Sequence, residues 1–350
     1  MKIAKVEVVP YALPFREPYV TARGQIRQRE MVLLRLRADD GLLGLGEAVP
    51  LSMRGGAGLS QIVQELERLG DQDSLDEETL CSGAVALSRP ARCAALTALL
   101  DLRGRRAAAG LTQTGAPLAV KCNATLMAGE PKAVAADALR WAADGFSTFK
   151  LKLGVGDDVG QVRATREALG PEARIRVDAN ASWDVETARR TLGEIEPFDV
   201  ELAEQPVATL EEAAQVSAST SIPLAGDESI EERDDAVRAL RLGACKLAGL
   251  KLSKVGGPEE AIAISEVLPS FVSSALDGPV GIAAAAQVAQ TLDQAAPDIP
   301  HLAHGLATQR LFASTIASVE CELRHGMLHP PEGPGLGVEI DEGALRAHRL

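Results

Sequence analysis

Aromatic side chains and positive charge are both scarce in this chain of 350 residues. Phe, Trp and Tyr together make up 3% of the sequence, so Ala, Leu and Val must fill the core. With 46% hydrophobic and 24% charged residues, the composition is that of a globular protein with a sizeable core. The net charge of −13 argues against a nucleic-acid partner, because such a partner favours a basic patch.

Cysteine is also rare, and long uncharged apolar runs are missing. The cysteines are odd in number and form no CxxC pair: Cys81, Cys93, Cys122, Cys245 and Cys321. A disulfide framework or zinc cluster is therefore not expected, and a reducing cytoplasm is the favoured location. The first 15 residues alternate like a strand and lack the apolar block of a signal peptide, so we expect no membrane partner.

Strand and helix patterns divide the chain into two parts. Residues 1–115 show strands and then amphipathic helices, which predicts an α+β domain that the Pro/Gly-rich residues 325–350 complete. In residues 116–324, short apolar runs alternate with helical stretches, and the strand candidates are 119–126, 148–154, 173–180, 199–206, 222–229, 245–252, 270–277 and 300–306. Eight such units predict an α/β fold with a (β/α)8 TIM-type barrel, and a doubly wound open sheet is the alternative.

Acidic residues follow three consecutive strand candidates. Asp178, Glu204 and Asp227 each come after an apolar run, where barrel enzymes carry their catalytic groups. Any one of them could simply cap a turn or a helix. Three converging carboxylates repel one another unless a cation binds, and oxygen ligands favour a hard metal such as Mg²⁺. The sequence therefore predicts a metal site.

Lysines flank the acidic strands. Lys150 and Lys152 stand one residue apart in FKLKL and so point to one face of a strand, while Lys251 ends the sixth strand candidate. A neighbouring metal and a second ammonium lower the pKa of a lysine, which makes the amine usable as a base. A solvated or snorkelling lysine is the alternative for Lys251.

The motif set KLK, VDAN, EQP, GDES and LKLSKVGG resembles the enolase superfamily, specifically its muconate lactonizing enzyme subgroup. The resemblance covers nearly the whole chain and implies a modified barrel with an N-terminal capping domain. It implies Mg²⁺, with Mn²⁺ as an alternative, held by Asp178, Glu204 and Asp227. A small carboxylate substrate and a possible homo-oligomer are further implications.

The resemblance also implies roles for the remaining polar residues. Lys152 resembles the family's proton-abstracting base, and Lys150 the companion that tunes the base and contacts the substrate carboxylate. Lys251 resembles the lysine on the opposite face of the substrate. Asn180 would support the metal ligands, with Glu228 behind it.

Strands one, seven and eight indicate which activity to expect within the family. KCNATL (121–126) and SSALDGPVGIAA (273–284) resemble o-succinylbenzoate synthases, which dehydrate 2-succinyl-6-hydroxy-2,4-cyclohexadiene-1-carboxylate on the way to menaquinone. An N-acylamino acid racemase typically has GGM at strand seven, and a dipeptide epimerase has Asp-x-Asp at strand eight. Both remain alternatives, as do a muconate cycloisomerase and a decayed barrel that only binds ligands.

Substrate contacts are predicted at the barrel mouth. The polar candidates there are Asn123, Thr125, Asn180, Ser273 and Ser274, although turn roles are equally ordinary for such residues. Residues 18–25 and 51–59 are the predicted lid segments of the cap, and Arg54 in the second could hold a carboxylate. The two histidines near the last strand, His301 and His304, are interpreted as structural.

Overall fold

The N-terminal part of the computed structural model is a four-stranded antiparallel sheet covered by helices. The structure describes residues 1–21, 24–52, 55–71, 75–111, 118–295 and 302–350. The sheet has the order β3-β2-β1-β4, and its strands are β1 (Lys2–Thr21), β2 (Gly24–Ala38), β3 (Leu43–Ala48) and β4 (Leu75–Asp76). The helices are α1 (Leu59–Gly70), α2 (Glu77–Ala84) and α3 (Arg89–Ala107). We call this unit the cap.

The cap core forms where alternate apolar residues of β2 meet the helices. Val32, Leu34 and Leu36 are fully buried and belong to the same cluster as Ile62 of α1. Helix α3 packs unusually close to β3, because a Cβ at Gly46 would lie 2.0 Å from the carbonyl oxygen of Ala94. This close approach seats α3 between the cap sheet and the rest of the molecule.

The larger part is a barrel of parallel strands surrounded by helices. Its seven regular strands are adjacent in chain order: β6 (Ala124–Leu126), β7 (Thr148–Lys152), β8 (Arg174–Asp178), β9 (Val200–Glu204), β10 (Leu224–Gly226), β11 (Leu247–Leu250) and β12 (Ser270–Val272). The helices between and after them are α4 (Pro131–Ala143), α5 (Asp158–Leu169), α6 (Val185–Ile195), α7 (Leu210–Ser217), α8 (Arg233–Leu242), α9 (Leu252–Val255), α10 (Pro258–Ser265) and α11 (Pro279–Ala295).

The eighth strand position is filled by a very short segment that closes the barrel. His304 forms a parallel bridge with Cys122, and Gly305 forms one with Ser273. The buried His304 ring also accepts a hydrogen bond from the backbone N–H of Val272 at 3.0 Å, which agrees with a structural role. The prediction of a TIM-type barrel with an α+β cap is confirmed. The barrel departs from the regular pattern because its eighth strand is reduced to isolated bridges and is followed by a short 3-10 turn, Ala307–Leu311.

The C-terminal segment contacts both parts of the molecule. Strands β14 (Glu322–Arg324) and β15 (Met327–His329) form a sheet with β5 (Val120–Lys121), while β13 (Ala317–Val319) pairs with β16 (Glu339–Ile340). Helix α12 (Glu342–His348) returns to the cap, where Glu342 forms an ion pair with Arg35. The predicted boundary at residues 115 and 116 lies outside the described residues and stays a prediction. Among the helices that the structure describes, each is too short or too polar to cross a membrane.

Candidate active site

Polar side chains gather at the carboxyl ends of the barrel strands. Lys152 on β7 lies opposite Asp178 on β8, and Asp178 lies opposite Glu204 on β9. Glu204 is in turn opposite Ala225 on β10, which places Asp227 just past the end of that strand. Because neighbouring parallel strands are only ~4.8 Å apart, these side chains form one charged layer.

Lys150 joins two of the carboxylates. Its Nζ lies 2.8 Å from Oδ2 of Asp178 and 2.6 Å from each carboxylate oxygen of Glu204. All three side chains are buried. One ammonium group therefore sits between two carboxylates, which shows that a single cation can reach both.

Lys152 is the more accessible of the two lysines on β7. Its Nζ lies 2.6 Å from Oδ2 of Asp178 and 2.9 Å from Oδ1 of Asn180. Its side chain is 18% exposed, against 6% for Lys150. An ammonium group has three N–H donors. With two of them directed at these acceptors, the third can donate to another molecule.

Two lysines hold the third carboxylate. Lys251 forms an ion pair with Oδ2 of Asp227, and Nζ of Lys254 lies 2.9 Å from Oδ1 of the same carboxylate. Lys254 also donates to the backbone carbonyl of Asp227. Lys254 had no predicted role, although the spacing Lys-x-x-Lys in LKLSKVGG puts Lys251 at the N-cap of α9 and Lys254 within its single turn.

Gln205 is a second residue that the sequence analysis missed. Its Oε1 accepts hydrogen bonds from the N–H of Asp227 at 2.7 Å and from the hydroxyl of Ser229 at 3.0 Å. Its φ of 38° lies in the left-handed region, as does the φ of 48° at Asn180. Such backbone turns at strand ends often mark functional sites, and here they orient the residues around the carboxylates.

Asn180 links two loops of the layer. Its backbone N–H donates to Oδ1 of Asp178 at 2.9 Å, and its amide donates to Oε1 of Glu228 at 3.2 Å. The predicted arrangement, with Asn180 beside the metal ligands and Glu228 behind it, is compatible with these contacts.

Burial and charge act in opposite directions on the titration of this layer. Burial would raise the pKa of Asp178, but Lys150, Lys152 and Lys251 hold it well below its usual range. Burial raises the pKa of Glu204, and the negative charges of Asp178 and Asp227 raise it further. The positive charge of Lys150 offsets only part of this rise.

The pKa of Lys150 is shifted in the opposite direction from the sequence expectation. Burial alone would lower it, but the charges of Asp178 and Glu204 hold it well above its usual range. A lowered pKa is expected next to a bound metal, whereas in this structure the nearest neighbours of the two lysines are negative carboxylates.

Comparison with known proteins identifies the family. Residues 133–344 match the model of the enolase C-terminal domain-like family, and residues 3–114 match the mandelate racemase / muconate lactonizing enzyme N-terminal domain. The chain belongs to the muconate lactonizing enzyme subgroup of the enolase superfamily. Members of this superfamily are metal-dependent enzymes, and so is this chain.

Relatives within the superfamily have different activities. The o-succinylbenzoate synthase of Thermobifida fusca (strain YX) is 38% identical over 233 residues, covering 65% of this chain and 69% of the relative. The dipeptide epimerase from Enterococcus faecalis V583, solved with Mg and the dipeptide L-Leu-L-Tyr, is 27% identical with a TM-score of 0.88, covering 97% of this chain and 100% of the other. The muconate lactonizing enzyme from Pseudomonas fluorescens, complexed with muconolactone, is 26% identical with a TM-score of 0.90, covering 99% of both chains.

The carboxylates of this enolase-superfamily site are suited to a divalent cation by their chemistry. In the part of the chain that the structure describes, no set of three His, Cys, Asp or Glu side chains is already arranged around a common point. Asp178, Glu204 and Asp227 face lysines instead, yet each carboxylate influences the others electrostatically. Three buried oxygen-ligand groups, two of them already bridged by an ammonium, fit a hard cation such as Mg²⁺.

The predicted substrate contacts fall in different places. Thr125 lies opposite Lys150 across β6 and β7, at the level of the charged layer. Asn123 is buried one step deeper, with its amide donating to the carbonyl of Ala124 at 3.1 Å. Ser273 and Ser274 follow β12 at the barrel mouth. Arg54 lies outside the described residues, as do parts of both predicted lid segments.

Proposed function

We propose that this chain is a Mg²⁺-dependent o-succinylbenzoate synthase. The observation that carries the proposal is the layer of three carboxylates and three lysines, Lys150, Lys152 and Lys251, at consecutive strand ends. Support for this member of the superfamily comes from the relative that is 38% identical and from SSALDGPVGIAA at strand seven. The expected substrate is 2-succinyl-6-hydroxy-2,4-cyclohexadiene-1-carboxylate, an intermediate of menaquinone synthesis, in the cytoplasm.

Asp178, Glu204 and Asp227 are the residues that would hold Mg²⁺, or Mn²⁺ in its place. When bound, the cation supplies positive charge next to the substrate carboxylate, where negative charge increases as the α-proton leaves. Lys254 and Gln205 hold the side chain and the backbone of Asp227, and so keep this ligand in place.

Lys152 is the proposed base. It is partly exposed and has a free direction, whereas Lys150 is buried with all three of its donors directed at Asp178 and Glu204. As a neutral amine, Lys152 accepts the α-proton on its lone pair as the C–H bond breaks. The ammonium so formed returns the proton to the hydroxyl, which leaves from the same face as water when the C–O bond breaks. A C=C bond forms and water is lost, so atoms and charge balance.

Lys150 and Lys251 are proposed to act through their positive charge. Lys150, whose donors are directed at Asp178 and Glu204 in this structure, would contact the substrate carboxylate once one of these donors is released. Lys251 approaches from the strand on the other side of the layer, where it can stabilise charge over the ring that becomes aromatic.

A two-base racemization of N-acylamino acids or dipeptides is the second candidate. Lys152 and Lys251 belong to strands on opposite sides of the layer, as an enzyme that moves a proton between two faces requires. The dipeptide epimerase with a TM-score of 0.88 supports this possibility. The segment after strand seven, SSALD, differs from the GGM expected for a racemase, which favours the synthase.

An assay panel with purified protein tests the proposal. The cyclohexadiene substrate, N-succinylamino acids, Ala-Glu dipeptides and muconate are compared by kcat/KM with and without Mg²⁺. The synthase proposal expects the highest kcat/KM for the cyclohexadiene substrate, loss of activity on chelation and recovery with Mg²⁺. A higher kcat/KM for another substrate would contradict it, and no turnover of any of them would favour a decayed barrel.

A further inference from the structure

The loop after the seventh barrel strand is attached to the cap by a buried glutamate. Glu47 of β3 accepts a hydrogen bond from the backbone N–H of Gly278 at 2.6 Å and one from Val280 at 3.3 Å. The hydroxyl of Tyr11, on β1 of the cap, donates to the same carboxylate at 2.8 Å. Glu47 and Tyr11 are both buried. The first turn of α11 is therefore capped by a side chain from the other part of the molecule.

Two glycines make room for this contact. A Cβ at Gly278 would lie 2.3 Å from the hydroxyl oxygen of Tyr11, and a Cβ at Gly281 would lie 2.8 Å from Oε1 of Glu47. Real side chains do not approach so closely. The two glycines of DGPVG (residues 277–281) are therefore explained by the close contact with the cap and not by contact with a substrate.

The loop is held by internal hydrogen bonds and has a second attachment to the cap. The hydroxyl of Ser274 donates to Asp277 at 2.7 Å, and the same carboxylate accepts the N–H of Ala275 at 2.7 Å. Arg29 of β2 donates to the carbonyl of Ala275 at 3.0 Å. Since internal and external hydrogen bonds both hold the loop, a shift of the cap strands is transmitted to Ser274 and its neighbours.

Ser273 connects this loop to the candidate site. Phe271, two residues earlier on β12, points into the barrel, where the guanidinium of the buried Arg176 lies 5.1 Å from the centre of its ring. Ser273 points the same way, because side chains alternate along a strand. Its hydroxyl is buried and has no hydrogen-bond partner among the residues that the structure describes. A buried hydroxyl without a partner at the barrel mouth is suited to bind a polar atom of a substrate.

We propose that Glu47 and Tyr11 are positioning residues for substrate selection, which act by setting the place of the seventh-strand loop and of Ser273. The inference rests on the proposed function, since Ser273 matters only if the barrel mouth binds a substrate. Glu47 and Tyr11 contact the backbone of the loop and reach the site only through it.

The experiment compares four variants of the full chain loaded with Mg²⁺. Glu47→Ala removes the acceptor, Tyr11→Phe removes one donor, and Glu47→Gln keeps an acceptor for the Gly278 N–H. Arg89→Gln is the matched control, because Arg89 forms a cap–barrel ion pair with Glu231 away from this loop. Two quantities are measured: hydrogen exchange of the peptide 273–282, and KM and kcat for the substrate that the assay panel identifies.

We expect Glu47→Ala to accelerate exchange of the peptide and to raise KM about tenfold, with a smaller change in kcat. Tyr11→Phe should act in the same direction with about a threefold rise in KM. Glu47→Gln should stay close to the wild type, and Arg89→Gln should change neither quantity. A general loss of stability would instead lower the active fraction, and so kcat, without raising KM.

The proposal would be overturned if Glu47→Ala and Arg89→Gln had the same exchange rate and the same KM. It would also be overturned if Glu47→Ala exchanged faster while its KM stayed at the wild-type value. Should Glu47→Ala fail to fold, Tyr11→Phe carries the same comparison, because it removes a single hydroxyl. If the wild type turns over no substrate of the panel, the proposed function fails, while faster exchange in Glu47→Ala still supports the attachment of the loop to the cap.

Discussion

Two groups of buried carboxylates in this molecule have different neighbours. At the barrel mouth, Asp178 and Glu204 lie within 2.8 Å of a lysine ammonium. At the contact between cap and barrel, Glu47 is surrounded by backbone N–H groups and the hydroxyl of Tyr11. Asp277 is likewise held by the hydroxyl of Ser274 and a backbone N–H. The mouth carboxylates contact full charges, and the two carboxylates at the contact between cap and barrel accept hydrogen bonds from dipoles.

The pKa values differ accordingly. Burial raises the pKa of Glu47 to about 8, with a further rise from Asp277, and the hydrogen bonds from Tyr11 and Gly278 offset only part of it. At the mouth, the lysines hold the pKa of Asp178 below its usual range despite complete burial. Dipoles therefore satisfy the buried carboxyl group of Glu47 without keeping it charged, whereas nearby ammonium groups keep Asp178 charged. At Glu204, burial and the neighbouring carboxylates outweigh the lysines, and the pKa is raised.

The largest expected effect comes from removing the most exposed ammonium at the mouth. Lys152→Ala should lower kcat by about 10² to 10⁴-fold, because it deletes the proposed base. The melting temperature and Mg²⁺ binding should change little, since Asp178 keeps Lys150 as a partner. Lys132→Ala, at an exposed position of α4, is the control and should keep full activity. Near-complete activity of Lys152→Ala would exclude Lys152 as the base.

Removing the buried ammonium should instead affect stability. Lys150→Met leaves Asp178 and Glu204 facing each other without the cation between them, which should cost about 3–5 kcal/mol of unfolding free energy. Urea unfolding measures this loss, with Lys132→Met as the control. Added Mg²⁺ should stabilise the variant more than the wild type, because the two carboxylates no longer have an ammonium competing for them. Equal stabilisation of both proteins would argue against a shared cation site.

A pH effect should appear at the cap carboxylate. The pKa of Glu47 is raised from 4.5 to about 8 in the folded state, so the folded protein binds more protons than the unfolded chain between these values. Its contribution to stability is complete below pH 4.5 and is lost as pH rises, by at most about 1.4 kcal/mol per pH unit. Chemical unfolding from pH 5 to 8 should therefore show a steeper decline for the wild type than for Glu47→Gln. Parallel curves would show that Glu47 is charged throughout this range.

The smallest effect is expected for an ion pair that is neither buried nor catalytic. Arg89 and Glu231 join the cap to the barrel, and their side chains are 35% and 41% exposed. Arg89→Gln should cost less than about 1 kcal/mol in urea unfolding, because water screens exposed charges. A cost similar to that of Lys150→Met would mean that burial does not distinguish the two kinds of pair.

The barrel and the charged layer could be predicted because their signals are local. Each strand is a short apolar run that ends in polar residues, as in VDAN and GDES, so pattern alone indicated both the strand and its functional end. The eighth strand was expected at residues 300–306, whereas pairing is recorded at His304 and Gly305. Such short pairing leaves almost no periodic pattern to detect.

The attachment of the cap could not be predicted from local patterns. Glu47 carries no local signal of its contact, because the N–H groups that it binds lie 231 and 233 positions further along the chain. The raised pKa of Lys150 in this structure likewise depends on two carboxylates contributed by other strands, and the lowering expected beside a bound metal stays a prediction. Residues whose role depends on distant backbone groups or on summed charges are identified only in three dimensions.

The tight fit at Gly281 has a consequence for the construction of chimaeras from this family. Because the loop at residues 273–281 and strand β3 are shaped for each other, transplanting the loop alone into a relative would place its glycines against an unmatched surface. A donor loop with alanine at that position would push Glu47 aside in this protein. Exchange of substrate preference by loop grafting should therefore work better when β1, β3 and the loop are moved together as one module.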